Sequence, residues 1–319
     1  MIQRHPLYWF DDGDTILHHE ILNNHDYGGT LYRIHLSKFA SVESPEFFPS
    51  SQLVTVPGLE PSDDGLPKLE SLQTTADGIL ERDILNNNHG CKYIVLGRER
   101  AINVNDLVAL LDHIYGENVL SSKSDFNRIT SILRITSPNQ LDIPALYEEA
   151  IGYFIDLFPN DAQELSTFKC EFTEQAMVLA LQHNIRQPQK ALIYYLATQT
   201  HLDSDFSVPL PNQTTISTLS HTISSNLISF FTPLLFTPPP TSHMECTDAL
   251  AGYWMPLVIS PAIEDSAMGK PLQTLERMKN VNWTEYGICE ECVRDKREEW
   301  TEEQSRVWKL MDEWIFESM

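Results

Sequence analysis

Basic residues are scarce in this sequence. Its 319 residues include 22 Lys and Arg against 45 Asp and Glu, which gives a formal net charge of −23 at pH 7. Binding to a phosphate backbone needs a basic surface, and anionic lipid headgroups repel an acidic chain. We therefore expect neither nucleic acid nor membrane among the partners of this protein.

Long apolar runs are also missing. The most apolar stretch, residues 227–236, is interrupted by Pro233 and is too short to span a bilayer. No apolar signal core follows the first six residues, so secretion is not expected.

Cysteines are few. An odd count of five at low density is typical of a reducing compartment rather than of a disulfide-rich secreted protein. We therefore expect the protein in the cytoplasm, the nucleus or both. The five residues are Cys91, Cys170, Cys246, Cys289 and Cys292.

The sequence lacks the common catalytic motifs. It has no Gly-x-Ser-x-Gly nucleophile elbow and no Gly-x-x-x-x-Gly-Lys-Ser/Thr phosphate loop. His19 and Glu20 begin like a zinc-protease helix, but Asn23 stands where the second histidine would be needed. Residues 11–14 lack the downstream glutamate of a calcium loop. We identify no catalytic and no cofactor-binding residue, and we expect a protein that is not an enzyme.

The N-terminal segment has the pattern of a β-hairpin. Residues 15–22 and 30–34 are two apolar runs, and the turn formers at 23–29 separate them. A helix is predicted from Leu36 and should end before Pro45, because the residue before a proline disfavours helical backbone.

Residues 49–90 are rich in Ser, Pro, Asp and Gly and are predicted to be a flexible insertion. A short strand is predicted at 93–96. Helical apolar spacing then predicts helices over 107–114, 126–133 and 143–158. The predicted buried side of the third helix consists of Leu146, Ala150, Tyr153, Phe154 and Leu157.

The C-terminal half is predicted to be helical. Two helices are expected near 176–181 and 191–196, before a Ser-, Thr- and Pro-rich connection at 203–243 that we expect to be only partly ordered. Thr301 and Gln304 fit a capping box at the start of a final helix. We interpret its apolar stripe as a face that docks on the preceding helices, with a surface for a partner helix as the alternative. The stripe consists of Trp300, Val307, Trp308, Met311, Trp314 and Ile315.

Several of these segments together resemble the BTB/POZ domain. Residues 31–39 resemble its strand that ends on a histidine and leads into a helix, and residues 44–48 contain its Ser-Pro-x-Phe step. Residues 94–96 and 107–115 resemble its later strand and its Phe-x-x-Leu-Leu-x-x-Tyr-Tyr helix. The resemblance covers residues 10–158.

This resemblance implies an α+β fold. Residues 10–158 would form a BTB/POZ domain, a small mixed sheet flanked by helices, with the flexible insertion at about 49–90. Residues 159–319 would form a mainly α-helical C-terminal domain. The resemblance also implies a structural role for His35, which would bond the backbone at a strand-to-helix junction rather than act as a catalytic base.

Two further features are similar to a large BTB family of mushroom-forming fungi. Residues 5–14 read His-Pro-x-x-x-Phe-Asp-Asp-Gly-Asp, and Cys-x-x-Cys at 289–292 precedes a Trp-rich helix. The resemblance implies a non-enzymatic module for protein–protein interaction, which binds itself as a homodimer or binds other proteins. The alternatives are a substrate adaptor of a cullin-type ubiquitin ligase and a transcription-related regulator. The hydrophobic-x-Glu motif toward cullins is not evident, and no basic DNA-binding region is present.

One group of residues has metal-ligand spacing. Cys289 and Cys292 form one Cys-x-x-Cys pair, and His243 and Cys246 form a second pair with the same spacing. Three thiolates and one imidazole complete the tetrahedral ligand set of a structural Zn²⁺ site. The alternative is that the two paired cysteines lie at a helix start and pack as small apolar groups. Redox catalysis is less favoured, because no βαβ pattern surrounds the pair.

Overall fold

The computed structural model describes two compact units, Met1–Phe154 and Ile155–Met319. The boundary between them lies four residues before the predicted one at 158/159. The predicted insertion at 49–90, the Ser-Pro-x-Phe step and Cys91 fall outside the described residues. Those residues are 2–23, 26–40, 92–96, 100–199, 213–265 and 267–317.

A mixed β-sheet lies in the N-terminal unit. The described strands pair in the order β1-β3-β2-β4. The hairpin strands β2 and β3 are antiparallel, while β1 is parallel to β3 and β4 is parallel to β2. The described residues outside this small sheet are mostly helical, which is compatible with the predicted α+β class. The strands are β1 (Ile2–Trp9), β2 (Thr15–Asn23), β3 (Asp26–Ile34) and β4 (Lys92–Leu96).

The sheet differs from the sequence prediction in two places. The hairpin is confirmed, but its ladder continues to the pair Asn23 and Asp26, so most of the predicted turn is strand. Gly29 fits there because a Cβ atom would lie 2.5 Å from His18 Nε2. Strand β1 was not predicted, because its polar residues do not alternate with apolar ones. Its Pro6 has no N–H group to donate. This is tolerated in an edge strand, because the outer backbone groups of such a strand have no partner in the sheet.

The helices of the N-terminal unit follow the predicted apolar stripes. Helices α2 and α3 are joined by an ion pair in which Arg134 donates two hydrogen bonds of 2.7 Å to the buried Asp106 carboxylate. These helices are α1 (Leu36–Ala40), α2 (Val104–Ile114), α3 (Phe126–Thr136) and α4 (Pro144–Asp156).

The buried side of α4 was predicted only in part. Leu146, Ala150 and Phe154 are buried as expected. Tyr153 is only half-buried, Leu157 is exposed, and the neighbouring Phe158 is buried. The reason is that the helix ends at Asp156, so the helical period no longer sets which side chains face inward.

The C-terminal unit is helical. Its helices are α5 (Ala162–Thr167), α6 (Thr173–Gln182), α7 (Arg186–Thr198), α8 (Gln213–Phe236), α9 (Met244–Trp254), α10 (Ser260–Glu264), α11 (Pro271–Asn280) and α12 (Glu290–Asp312). Short π-helical turns follow α9 at Met255–Ile259 and α12 at Glu313–Glu317, and short 3₁₀ turns lie at Ala267–Gly269 and Trp283–Tyr286.

Helix α8 lies within the Ser-, Thr- and Pro-rich connection predicted at 203–243, of which residues 203–212 fall outside the described part of the chain. Residues 213–236 form one helix of 24 residues that accommodates Pro233. Its Ile223, Leu227, Phe231 and Leu235 are fully buried at four-residue spacing. This packing outweighs the weak helix propensity of the many Ser and Thr residues. Within the described part of the chain, no helix is both long and apolar enough to cross a membrane.

The final helix buries most of its predicted stripe, but the predicted capping box is wrong. Helix α12 begins at Glu290, so Thr301 lies in its interior and donates to the Arg297 carbonyl oxygen. Gln304 donates instead to the Leu272 carbonyl oxygen in α11. Trp308 and Trp314 are half-buried, whereas the other members of the stripe are buried. Those buried members are Trp300, Val307, Met311 and Ile315.

Candidate metal centre

Two helix starts carry the four predicted ligands. His243 directly precedes α9, and Cys246 is the third residue of that helix. Cys289 directly precedes α12, and Cys292 is the third residue of that one. Residues three apart at a helix start lie on the same side, so each pair presents two ligand atoms to the other.

The four ligand atoms converge. The His243 imidazole nitrogen and the three cysteine sulfurs all lie within 4.8 Å of one another. His243 Nδ1 is 3.3 Å from Cys289 Sγ and 3.6 Å from Cys292 Sγ. Zinc–sulfur and zinc–nitrogen bond lengths place nitrogen and sulfur ligands about 3.5 Å apart in a tetrahedron. The cluster can therefore hold a metal ion with little movement.

Backbone and hydroxyl groups orient the ligands. The Cys289 N–H donates to Cys246 Sγ over 3.4 Å, which links the start of α12 to a side chain of α9. Thr241 donates to the His243 carbonyl oxygen over 2.8 Å and is 3.0 Å from the hydroxyl of Thr247. These contacts fix the loop that carries the histidine. No sequence signal identified Thr241 as part of this arrangement.

The chain reaches the cluster through a turn that depends on glycine. Gly287 has a φ of +88°, in the left-handed region that favours glycine, and it ends the 3₁₀ turn at Trp283–Tyr286. Ile288 follows and is buried, which sets the position of Cys289. A substitution at Gly287 would therefore strain the backbone just before two of the ligands.

An aromatic core supports the cluster. Cys246 and Cys292 are buried in the same apolar core as three tryptophans. The ring centroids of Trp254 and Trp283 are 6.2 Å apart, and those of Trp283 and Trp300 are 6.0 Å apart. The two ligands inside the core are thus held by packing as well as by the helix starts.

The thiols influence one another's protonation. A hydrogen bond from the Cys289 N–H lowers the pKa of Cys246, but burial and the neighbouring thiols outweigh it and leave that pKa raised. Burial raises the pKa of Cys292, but hydrogen bonds from Thr241, Cys289, His243 and Cys246 outweigh it and lower that pKa to about 7. Thiolates this close repel one another, and a bound cation removes that repulsion.

Part of the cluster is accessible to solvent. His243 is exposed and Cys289 is half-buried, whereas Cys246 and Cys292 are buried. An open polar cavity of about 370 Å³ lies beside the cluster and is lined in part by Thr241, Cys292 and Lys296. An ion can therefore enter without unfolding of the C-terminal unit.

Two other histidines lie in the N-terminal unit, far along the chain from the cluster. His19 lies in β2, where its Nε2 is 2.8 Å from the Ile102 carbonyl oxygen. His35 lies between β3 and α1, and its Nε2 is 3.2 Å from the Asp12 carboxylate. Its other ring nitrogen and its backbone N–H contact the Tyr115 hydroxyl, rather than a backbone group as the resemblance implied.

Comparison with known proteins found no match among protein families, curated proteins or solved structures. Inferences about function therefore rest on the residues of the chain itself.

Proposed function

We propose that this chain is a non-enzymatic protein-binding module whose C-terminal helical unit is held together by a structural zinc ion. The observation that carries the metal part of the proposal is the convergence of His243, Cys246, Cys289 and Cys292 within 4.8 Å. Four protein ligands fill a tetrahedral zinc site, and no coordination position remains for a reacting water or substrate. The site therefore suits a structural role rather than catalysis.

The donor set favours zinc over other common ions. Thiolate and imidazole ligands in a tetrahedron suit Zn²⁺, whereas Mg²⁺ and Ca²⁺ prefer oxygen ligands in larger shells. The three thiols must be reduced to bind the ion, which agrees with a role in the cytoplasm or the nucleus.

The protein-binding part of the proposal concerns the N-terminal unit. Among the described residues, the order there is a strand, the hairpin, a helix, a strand parallel to β2 and three helices that end with α4. A small mixed sheet with these helices supports the proposed BTB/POZ architecture. In this proposal the N-terminal unit associates with a second copy or with another protein, and the helical unit recruits a further partner.

Metal analysis tests the zinc site. Protein purified with reduced cysteines should contain one zinc ion per chain, and cobalt exchanged into it should give the absorption of a tetrahedral thiolate site. Cys246→Ser and Cys289→Ser should lose the ion because each removes a ligand. Cys170→Ser is the matched control and should keep it, since Cys170 lies outside the cluster. Zinc well below one ion per chain in the wild-type protein would rule the site out.

Light scattering tests self-association. Across a concentration series of the full chain, we expect the mass to rise to that of a dimer, because the proposal assigns the N-terminal unit to association. The same series is repeated on Cys289→Ser, which should lack the ion. An unchanged mass would mean that association does not depend on the ion, and a lower mass would mean that it does. A monomer mass at every concentration would remove self-association and leave binding to other proteins.

A further inference from the structure

We propose that the same cluster is a site of reversible oxidation, at which a hydroperoxide joins Cys289 and Cys292 in a disulfide and the metal ion leaves. The release of the ion rests on the proposed zinc site. The formation of the disulfide does not, because it needs only the two thiols. The C-terminal unit would thereby gain a response to peroxides.

The two sulfurs are already close. All ligand atoms of the cluster lie within 4.8 Å of one another, and a disulfide bond is about 2.05 Å long. Cys289 directly precedes α12 and Cys292 lies in its first turn, so rotation of their side chains can bring the sulfurs together. No movement of α9 against α12 is required.

Cys246 is the less suitable partner. It lies on a different helix, and its sulfur accepts the Cys289 backbone N–H over 3.4 Å. The Cys246 sulfur also lies within 4.8 Å of the other two sulfurs, but a disulfide from it would cross-link α9 to α12. The pair Cys289 and Cys292 instead closes a short Cys-x-x-Cys loop within one chain segment.

The oxidant can reach the pair. Cys289 is half-buried and is the more exposed of the two thiols. The open cavity lined in part by Cys292 gives the released ion a route out. A hydroperoxide is small enough to approach without unfolding of the unit.

The chemistry takes two steps. The Cys289 thiolate attacks the outer oxygen of the hydroperoxide, the O–O bond breaks, and the leaving alkoxide takes a proton from solvent. The Cys292 thiolate then attacks the Cys289 sulfur, the S–O bond breaks, and hydroxide leaves as water after protonation. The two thiolates lose two electrons, and the hydroperoxide gains them to become an alcohol and water.

The disulfide would dismantle the metal site. Only His243 and Cys246 would remain as ligands, both on the α9 side. Two ligands do not hold zinc in a tetrahedral site. Because the new bond lies within α12, it would not replace the link that the ion makes between the two helix starts.

Hydrogen peroxide is the probe for the test. Added to the zinc-loaded full chain, it should release one zinc ion for every two thiols lost, as measured with a chromogenic chelator and a thiol reagent. Peptide mapping without reductant should find Cys289 linked to Cys292. Dithiothreitol with added zinc should restore both the thiols and the ion. Cys170→Ser should respond like the wild-type protein.

Several outcomes would overturn the proposal. These are retention of zinc with the thiols intact, a disulfide that involves Cys246, Cys170 or Cys91, or over-oxidation of Cys289 without a disulfide. If the protein binds no zinc, the proposed metal site fails separately. Mapping of the metal-free protein then still decides whether Cys289 and Cys292 form the pair.

Discussion

Removal of the metal ion is expected to lower the melting temperature of the C-terminal unit by about 10 °C. An ion present at 1,000 times its dissociation constant stabilises the folded state by about 4 kcal/mol. For a unit of this size, each kcal/mol of unfolding free energy shifts the melting temperature by about 2–4 °C. The effect is large because the ion joins the starts of α9 and α12 and removes the repulsion among three thiolates.

Thermal unfolding with and without EDTA measures this effect. Cys170→Ser should lose as much stability on chelation as the wild-type protein. Cys246→Ser should melt at a lower temperature from the outset and should not respond to the chelator, because it has no ion to lose. Equal melting temperatures for zinc-loaded and chelated wild-type protein would show that the ion does not stabilise the fold.

Trp283→Ala is expected to reduce the free energy of unfolding by about 3–5 kcal/mol, the usual cost of removing a large buried aromatic side chain. Trp283 is 1% exposed, and its Nε1 donates to the Met278 carbonyl oxygen over 2.8 Å. The change would leave a cavity beside Trp254 and Trp300 and remove the partner of a buried carbonyl group.

Urea unfolding followed by circular dichroism measures this second effect. Tyr253→Ala is the control, because Tyr253 is 43% exposed and contacts Tyr286 at the edge of the same region. Tyr253→Ala should reduce the free energy of unfolding by about 1 kcal/mol, which is the usual contribution of one aromatic pair. Similar losses for the two variants would contradict a core organised around Trp283. Zinc content should be measured for both, so that loss of the ion is not mistaken for loss of packing.

The helices with regular apolar spacing were predictable from the sequence, and the segments shaped by distant contacts were not. Helix α2 and helix α3 bury one face each, and that face appears directly as an apolar period. Strand β1 is polar, and it forms only because β3 offers an edge to pair with. Helix α8 is rich in Ser and Thr, and its order comes from the apolar residues that it buries, among them Ile223, Leu227, Phe231 and Leu235.

The candidate site was predictable as a set of residues but not as a geometry. The spacing within each pair indicates a metal ligand set, because residues three positions apart at a helix start place their side chains on the same side of the helix. Cys246 and Cys289 are 43 positions apart, and no local pattern fixes whether such residues meet. Thr241 has no ligand atom of its own in the set, so its contact with the His243 carbonyl group could be found only from the fold.

The placement of the two ligand pairs also affects the unfolded chain. His243 and Cys292 are 49 positions apart, so an ion held by both pairs closes a loop of that length. Closing such a loop in a flexible chain costs about 3.5 kcal/mol of conformational entropy. Doubling its length would add only about 0.6 kcal/mol. An insertion in an exposed turn between the two helix starts therefore adds little to this cost, whereas one within the packed helices there would disturb the core around Trp254 and Trp283.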